Sequence, residues 1–285
     1  MMVQIGFSKK RESIPIDENL LRHMILNVIR TYVKKFNEYG QVVIACDNKN
    51  YWRKQAFPYY KITRKKMRTD SGLDWNNIFT ILNKIRDELK ECAPYKVLDV
   101  DGAEGDDVIA ALVQYYTEPT MILSSDKDFP QLQILPWVKQ YSPIMGKFIK
   151  AKNPQAHLKE LIIRGDKSDA IPNILSADNS FKDNIRQKSI MEDKFVVWMK
   201  QTPNEICVTE TMKHGWSRNE SLIDLSKMPD DLRKKIIYTY ENGVPAPMQK
   251  FMSYMMEKRL KNLLECITEF RGGKSEATGF DLFKL

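Results

Sequence analysis

Apolar residues recur at helical spacing through "ENLLRHMILNVIRTYVKKF", positions 18–36, and Gly40 supplies a stop just beyond. The period then shortens. "QVVIACD" is a β-branched run that predicts a buried strand ending in Asp47. "WNNIFTILNKIRDELKECAP" is helical again and closes at Pro94, and "YKVLDV" reads as a strand. "EGDDVIAALVQYY" predicts a helix with acids in its first turn, where the helix dipole favours them. "TMILSSD" predicts another strand and "VKQYS" one more. Strands and helices alternating at this spacing imply an α/β fold with a parallel sheet.

From about Ala151 the pattern changes. "NPQAHLKELIIRG" predicts a capped helix, with Pro154 early and Gly165 just past its end. "DKSDAIPNI" reads as a tight loop, and the chain then stays mostly helical to about Phe270. The expected organisation is an α/β core over 1–150, a helical region over 151–270, and a tail over 271–285.

Composition narrows the class. Of 285 residues, 42% are hydrophobic and 29% charged, which suits a globular protein. No apolar run approaches the roughly 20 residues of a membrane span. Cys46, Cys92, Cys207 and Cys266 are scattered, as are His23, His157 and His214, so no zinc spacing or His-based triad is expected. The cysteines read as reduced thiols of a cytoplasmic protein.

The net charge of +8 suits a polyanionic partner, and it is unevenly placed. Positions 49–68, "KNYWRKQAFPYYKITRKKMR", hold eight Lys/Arg and no acid, whereas "DVDGAEGDD" holds five carboxylates and no base.

The acids gather at predicted strand ends. Asp47 ends one strand, Glu104, Asp106 and Asp107 follow a second, and Asp126 and Asp128 end a third. Ligands of parallel sheets sit beyond the carboxyl ends of strands, so all should face one cleft. Carboxylates so close raise one another's pKa values unless a cation intervenes. Oxygen-only donors suit Mg²⁺ or Mn²⁺, and two such ions about 4 Å apart can drive phosphodiester hydrolysis. Asp107, next to Asp106, reads equally as a cap or as support. From pattern alone, Asp166 and Asp169 belong to a turn.

"EGDD", "SSDKDF" and "GDKSDAIPN", in this order, resemble the 5′-nuclease superfamily of flap endonucleases and polymerase 5′-nuclease domains. Within it, "LLRHMILN", "CDNKNYWRKQAFPYYKITR", "LDVDGAEGDDVIAALV" and "RGDKSDAI" are similar to the RNase H branch of T-even bacteriophages. The likeness spans roughly Leu21 to Phe270.

It implies a PIN-like core with a helical arch, followed by a helix-hairpin type domain that holds duplex DNA. It implies a Mg²⁺-dependent 5′ to 3′ exonuclease and flap endonuclease, using no zinc, that removes RNA primers and 5′ flaps in the cytoplasm of a phage-infected host. Carried over by motif, Asp47, Glu104, Asp106 and Asp126 would hold a first ion, and Asp128, Asp166 and Asp169 would hold or water-bridge a second.

The basic stretch aligns with the arch, about 49–70. Arg53 and Lys61 match phosphate-contacting, catalytic positions. Lys49, Tyr51, Trp52, Lys54, Tyr60, Arg64, Lys65, Lys66 and Lys167 are the further nucleic-acid candidates, the aromatics by stacking on unpaired bases. The alternative is that the aromatics only pack the arch.

Two departures stand out. The family begins with a buried strand ending in a metal-binding aspartate, but "MMVQIGF" runs into Ser8. The expectation is a start recorded at an internal methionine. The alternative is a truncated, catalytically impaired chain that binds branched DNA. The second acidic turn also carries Ala170 and Asn173 where relatives often have Asn and Gly, which weakens its assignment to duplex binding.

Beyond the likeness, "TGFDLFKL" presents Phe280, Leu282 and Phe283, and such terminal peptides resemble sliding-clamp binding motifs. A single-strand-binding protein is a further expected partner. A monomer and no membrane contact are expected.

Overall fold

The computed structural model describes residues 17–272. Both chain ends therefore fall outside it, including the "MMVQIGF" run and the clamp candidates Phe280, Leu282 and Phe283. The elements run α1 (Glu18–Lys35), β1 (Val43–Cys46), α2 (Trp52–Ala56), α3 (Thr63–Asp70), α4 (Trp75–Cys92), β2 (Lys96–Asp99), α5 (Gly105–Tyr115), β3 (Thr120–Leu123), β4 (Val138–Ser142), β5 (Lys147–Ile149) and α6 (Pro154–Arg164). Helices α7 (Glu192–Trp198), α8 (Pro203–Ile206), α9 (Glu210–Ile223), α10 (Asp230–Asn242), α11 (Met248–Glu257) and α12 (Lys261–Leu264) follow.

Every strand expected from the sequence is present. Among the described residues they form two sheets, β1 with β2 and β3-β4-β5, where one parallel sheet was expected. β3 runs parallel to β4, with Ile122 opposite Gln140 and Leu123 opposite Tyr141. β5 was not foreseen. It returns antiparallel through a turn in which Gly146 takes φ +63° and its N–H donates to Ser142 O. A three-residue strand leaves no periodicity to read.

The chain divides into two compact units. Among the described residues, one comprises 17–44, 74–98 and 242–272. Within it, α1 opens on Asp17, whose carboxylate accepts from the N–H groups of Asn19 and Leu20. α4 buries Ile78, Ile81, Ile85 and Leu89, one per turn along one face. Phe251, Met255 and Phe270 complete the core. Arg22 is buried there, ion-paired with Glu18 at 2.5 Å and Glu88 at 2.9 Å.

The other unit, 45–73 and 99–241, holds every candidate site residue within the described chain. α5 is apolar nearly all round, with Val108, Ala110, Ala111 and Val113 buried. α6 and α9 share a core of Ile162, Ile163, Ile174, Met212 and Trp216 with Phe195 and Trp198 of α7. Gly215 of α9 packs against Ile174 so closely that an added Cβ would stand 2.5 Å from its carbonyl oxygen.

Candidate active site

Strand ends deliver the acids, as the pattern implied. Asp47 follows β1, and its Oδ1 accepts from Gly105 N–H, the first residue of α5, at 2.8 Å. The approach is close: a Cβ on Gly105 would meet that oxygen at 3.3 Å and Ala45 O at 3.4 Å. Asn48 and Asn50 extend the junction by donating to Asp99, the last residue of β2, and to Asp101 just past it. Beyond β3, Asp128 N–H donates to Asp126 Oδ1 at 2.9 Å, folding the "SDKD" turn on itself.

Asp106, Asp128, Asp166 and Asp169 line one small cavity with Arg53 and Tyr60. Burial pushes the Asp106 carboxyl up to about 7, helped by the charges of Asp126 and Asp47. Burial pushes Asp128 well above the usual carboxylate range, with Asp126, Asp166 and Asp106 adding to it. Asp128 Oδ1 is a buried acceptor with no hydrogen-bond donor. Crowded, mutually repelling carboxylates and an unpartnered buried oxygen fit a divalent cation in their donor chemistry.

The side chains are not gathered around it. Among the described residues, no three His, Cys, Asp or Glu side chains converge on one ion position. Three of the expected seven ligands are turned onto basic or hydroxyl groups. Glu104 accepts from Arg53 Nη1 at 3.0 Å, from Tyr60 OH at 3.1 Å and from Lys61 Nζ. Asp169 accepts from Tyr60 OH at 2.9 Å and Arg64 Nη2 at 2.6 Å. Asp166 accepts from Ser168 N–H and Oγ and pairs with Lys127 at 2.9 Å. Burial opposes its charge, but Lys127 and Ser168 outweigh that and hold its carboxyl below the ordinary range.

This network ties several of the expected arch residues to partners within the protein. Arg53, expected on a phosphate, is 2% exposed. Its guanidinium is spent on Glu104, Asp107 and the carbonyl of Leu222. Tyr60, expected to stack on a base, is buried, with its hydroxyl between two carboxylates. Tyr51 is half-buried and packs edge-on against Tyr60 at 5.8 Å between ring centres. Trp52 is half-buried too; its Nε1–H donates to Asp107 and its ring lies under Arg53. Lys61 and Arg64, expected at the nucleic acid, face inward on acids.

The reason is shared. Buried carboxylates at the start of α5 need counter-charges, and the adjacent basic stretch supplies them. Lys49, Lys54, Lys65, Lys66 and Lys167 are exposed, as a phosphate contact requires. Asp107 resolves to the supporting role: fully buried, it caps α5 by accepting from Glu104 N–H and pairs with Arg53 at 2.8 Å.

Residues 15–160 match the family of 5′-3′ exonuclease N-terminal resolvase-like domains, about half of the chain. The chain belongs to the 5′-3′ exonuclease family. Its second part, residues 153–270, matches the C-terminal domain family of T4 RNase H. This family member is 33% identical to the Ribonuclease H of Enterobacteria phage T4, over 94% of this chain and 93% of that protein. It shares its fold with a bacteriophage T5 D15 flap endonuclease solved with DNA and metal ions, at 16% identity and a TM-score of 0.53, covering 78% of this chain and 92% of that one. A T5 5′-exonuclease carrying divalent zinc is similar at 15% identity and a TM-score of 0.51, covering 88% and 91%. Among the described residues, no helix is long and apolar enough to cross a membrane.

Two supporting residues were missed from the sequence. Gln140 and His157 both touch the backbone of the Ser124–Asp128 segment. A lone glutamine in a strand and a lone histidine in a helix carry no pattern that could have found them.

Proposed function

We propose that this family member is a divalent-metal-dependent 5′ to 3′ exonuclease and flap endonuclease that removes RNA primers and 5′ flaps during DNA replication. The observation that carries the proposal is the meeting of Asp106, Asp128, Asp166 and Asp169 in one cavity, with a buried, unpartnered Asp128 oxygen.

In this reading Asp47, Glu104, Asp106 and Asp126 serve one Mg²⁺ or Mn²⁺, and Asp128, Asp166 and Asp169 serve a second. When bound, such ions stabilise negative charge on the scissile phosphate as Lewis acids. Arg53 holds the carboxylates of Glu104 and Asp107 in place. Lys61, Arg64 and Lys127 neutralise acids of the cavity, and each could turn to a phosphate when a cation takes its place. Exposed Lys54, Lys65, Lys66 and Lys167 supply phosphate contacts to the strand being cut.

The proposed division of labour is a nuclease core over 1–150 and a duplex-binding region over 151–270. Partners would be DNA and RNA–DNA duplexes with a 5′ end or flap, a single-strand-binding protein, and a sliding clamp through Phe280, Leu282 and Phe283. The working state would be a monomer in the host cytoplasm.

A second reading has one observation in its favour. With Glu104, Asp166 and Asp169 already paired to cations, the chain could bind branched DNA without cutting it. Product mapping on a 5′-flap duplex labelled at both ends separates the two. Nicks at the junction and stepwise loss from the 5′ end, both requiring Mg²⁺ or Mn²⁺, are expected. Tight binding with no product at any metal concentration overturns the nuclease reading.

A further inference from the structure

The acidic turn after β3 is held chiefly by the side chain of Gln140. Gln140 lies on β4, opposite Ile122, and is 1% exposed. The last backbone rung of the β3–β4 ladder is Ser124 N–H donating to Tyr141 O at 3.1 Å. Among the described residues no strand faces the turn past that rung, and the carbonyls of Ser124 and Asp126 are met instead by a side chain. Gln140 Nε2 takes both, donating to Ser124 O at 3.0 Å and to Asp126 O at 2.8 Å. Both neighbours are acceptors only, so the amide nitrogen must point to the turn. Its Oε1 accepts from Gln133 Nε2 at 3.4 Å, and Gln133 Oε1 accepts from Ala151 N–H at 2.9 Å.

Two lesser contacts finish the cradle. Ser125 Oγ meets Ser142 Oγ at 2.7 Å. His157 Nε2 lies 2.6 Å from Lys127 O, where it must be the donor. The backbone of Ser124, Asp126 and Lys127 is thus fixed by side chains from β4 and α6.

We propose that Gln140 is a positioning residue for the cleavage reaction: by holding the carbonyls of Ser124 and Asp126, it sets the carboxylates of Asp126 and Asp128 in place for a divalent cation. The proposal rests on the nuclease reading above. The chemistry requires two N–H donors on one planar group of this length, and glutamine is the uncharged side chain that has them. Methionine matches it in length but donates nothing. Glutamate would set a carboxylate against two carbonyl oxygens.

The test uses the full chain with Mn²⁺ as probe, comparing the native protein with Q140M and Q140E. Mn²⁺ affinity is measured by calorimetry, kcat and KM on a 5′-flap duplex, and unfolding in chelator. Partners that orient metal ligands are typically worth 10- to 100-fold in affinity or activity. We expect Q140M to lose at least 10-fold in Mn²⁺ affinity and in kcat, with KM for DNA within about twofold, and Q140E to lose more. A Q140M protein that folds and keeps native affinity and kcat overturns the inference alone. A native protein that neither binds Mn²⁺ nor cleaves overturns both the inference and the nuclease reading.

Should both variants fail to fold, side-chain amide exchange in the native protein decides. The Gln140 N–H₂ protons should exchange far more slowly than those of exposed Gln55. Equal rates would overturn the inference.

Discussion

The Tyr60 hydroxyl stands 2.9 Å from Asp169 Oδ2, joining the arch segment to the second acidic turn. Glu104 Oε2 lies 3.1 Å from the same hydroxyl. A phenol has one proton, so it serves one carboxylate at a time. The buried surroundings and both charges push its pKa far up, so it stays a donor. Tyr60→Phe removes that donor without changing ring packing. A buried acceptor left short of a donor costs about 1–3 kcal/mol. Denaturant unfolding in chelator should show a loss in that range, and an unchanged midpoint would contradict the role.

Arg53 gives the sharpest contrast between the arch as expected and as found. Breaking a buried ion pair by removing one partner costs about 3–5 kcal/mol. Arg53→Met should therefore unfold far more easily, with Asp107 left without its ion pair and Glu104 left to Lys61 and Tyr60. A variant of native stability with only a raised KM for DNA would restore the phosphate-contacting role.

Asp128 should behave in the opposite sense. Its burial beside Asp126, Asp166 and Asp106 costs stability whenever no cation is bound. At pH 8 in chelator, Asp128→Asn should melt higher than the native chain, and it should lose cleavage by at least about 100-fold (~2.7 kcal/mol in barrier). Such opposition is the mark of a strained functional site. A lower melting point would argue that Asp128 is structural.

Exposed arch lysines should affect binding and leave stability alone. Each phosphate contact to a single strand contributes about 0.7 to the slope of log affinity against log salt. Lys65→Ala with Lys66→Ala should flatten that slope by about 1.4 for a flap substrate. Fluorescence anisotropy from low to moderate salt checks this, and an unchanged slope would remove both lysines from the interface.

The first unit carries a separate pH signature. Burial opposes the charge of Glu88, but hydrogen bonds from Arg22 and Tyr254 outweigh it and hold its pKa below the ordinary value. Glu18 is lowered mainly by Lys84 and Arg22. A lowered folded pKa contributes stability above the unfolded value and loses it as pH falls through the folded one. Stability should therefore drop as pH falls below about 4.5. Glu88→Gln should be less stable at pH 7 and show a shallower decline in that window. Parallel curves would show that Glu88 contributes nothing through its charge.

Much of this was legible in the sequence. Helical and strand periods placed α1, α4, α5 and β1 to β4, because each carries an apolar run or stripe long enough to read, although β1 is only half-buried where a buried strand was expected. β5 has three residues and no stripe. The acids could be placed at strand ends, since a strand must stop where its buried run stops. What pattern could not supply was direction. Arg53, Lys61 and Arg64 sit in a basic stretch that reads as a solvated arch, yet their side chains turn inward to Glu104 and Asp169. Charge balance inside a fold is a three-dimensional condition, and a one-dimensional charge run does not record it. Tyr60 likewise reads as a stacking aromatic until its hydroxyl is seen between two acids.

The most direct measurement sets the native chain beside Asp126→Ala on a 5′-flap duplex in Mg²⁺ at low salt, with chelator as control. Asp126 is exposed, and the turn it occupies is anchored independently by Gln140 and His157, so the variant should fold. We expect junction cleavage by the native chain, none in chelator, and a loss of at least about 100-fold in the variant (~2.7 kcal/mol in barrier). Equal cleavage by both proteins, or cleavage that persists in chelator, would contradict a divalent-metal nuclease built on these carboxylates.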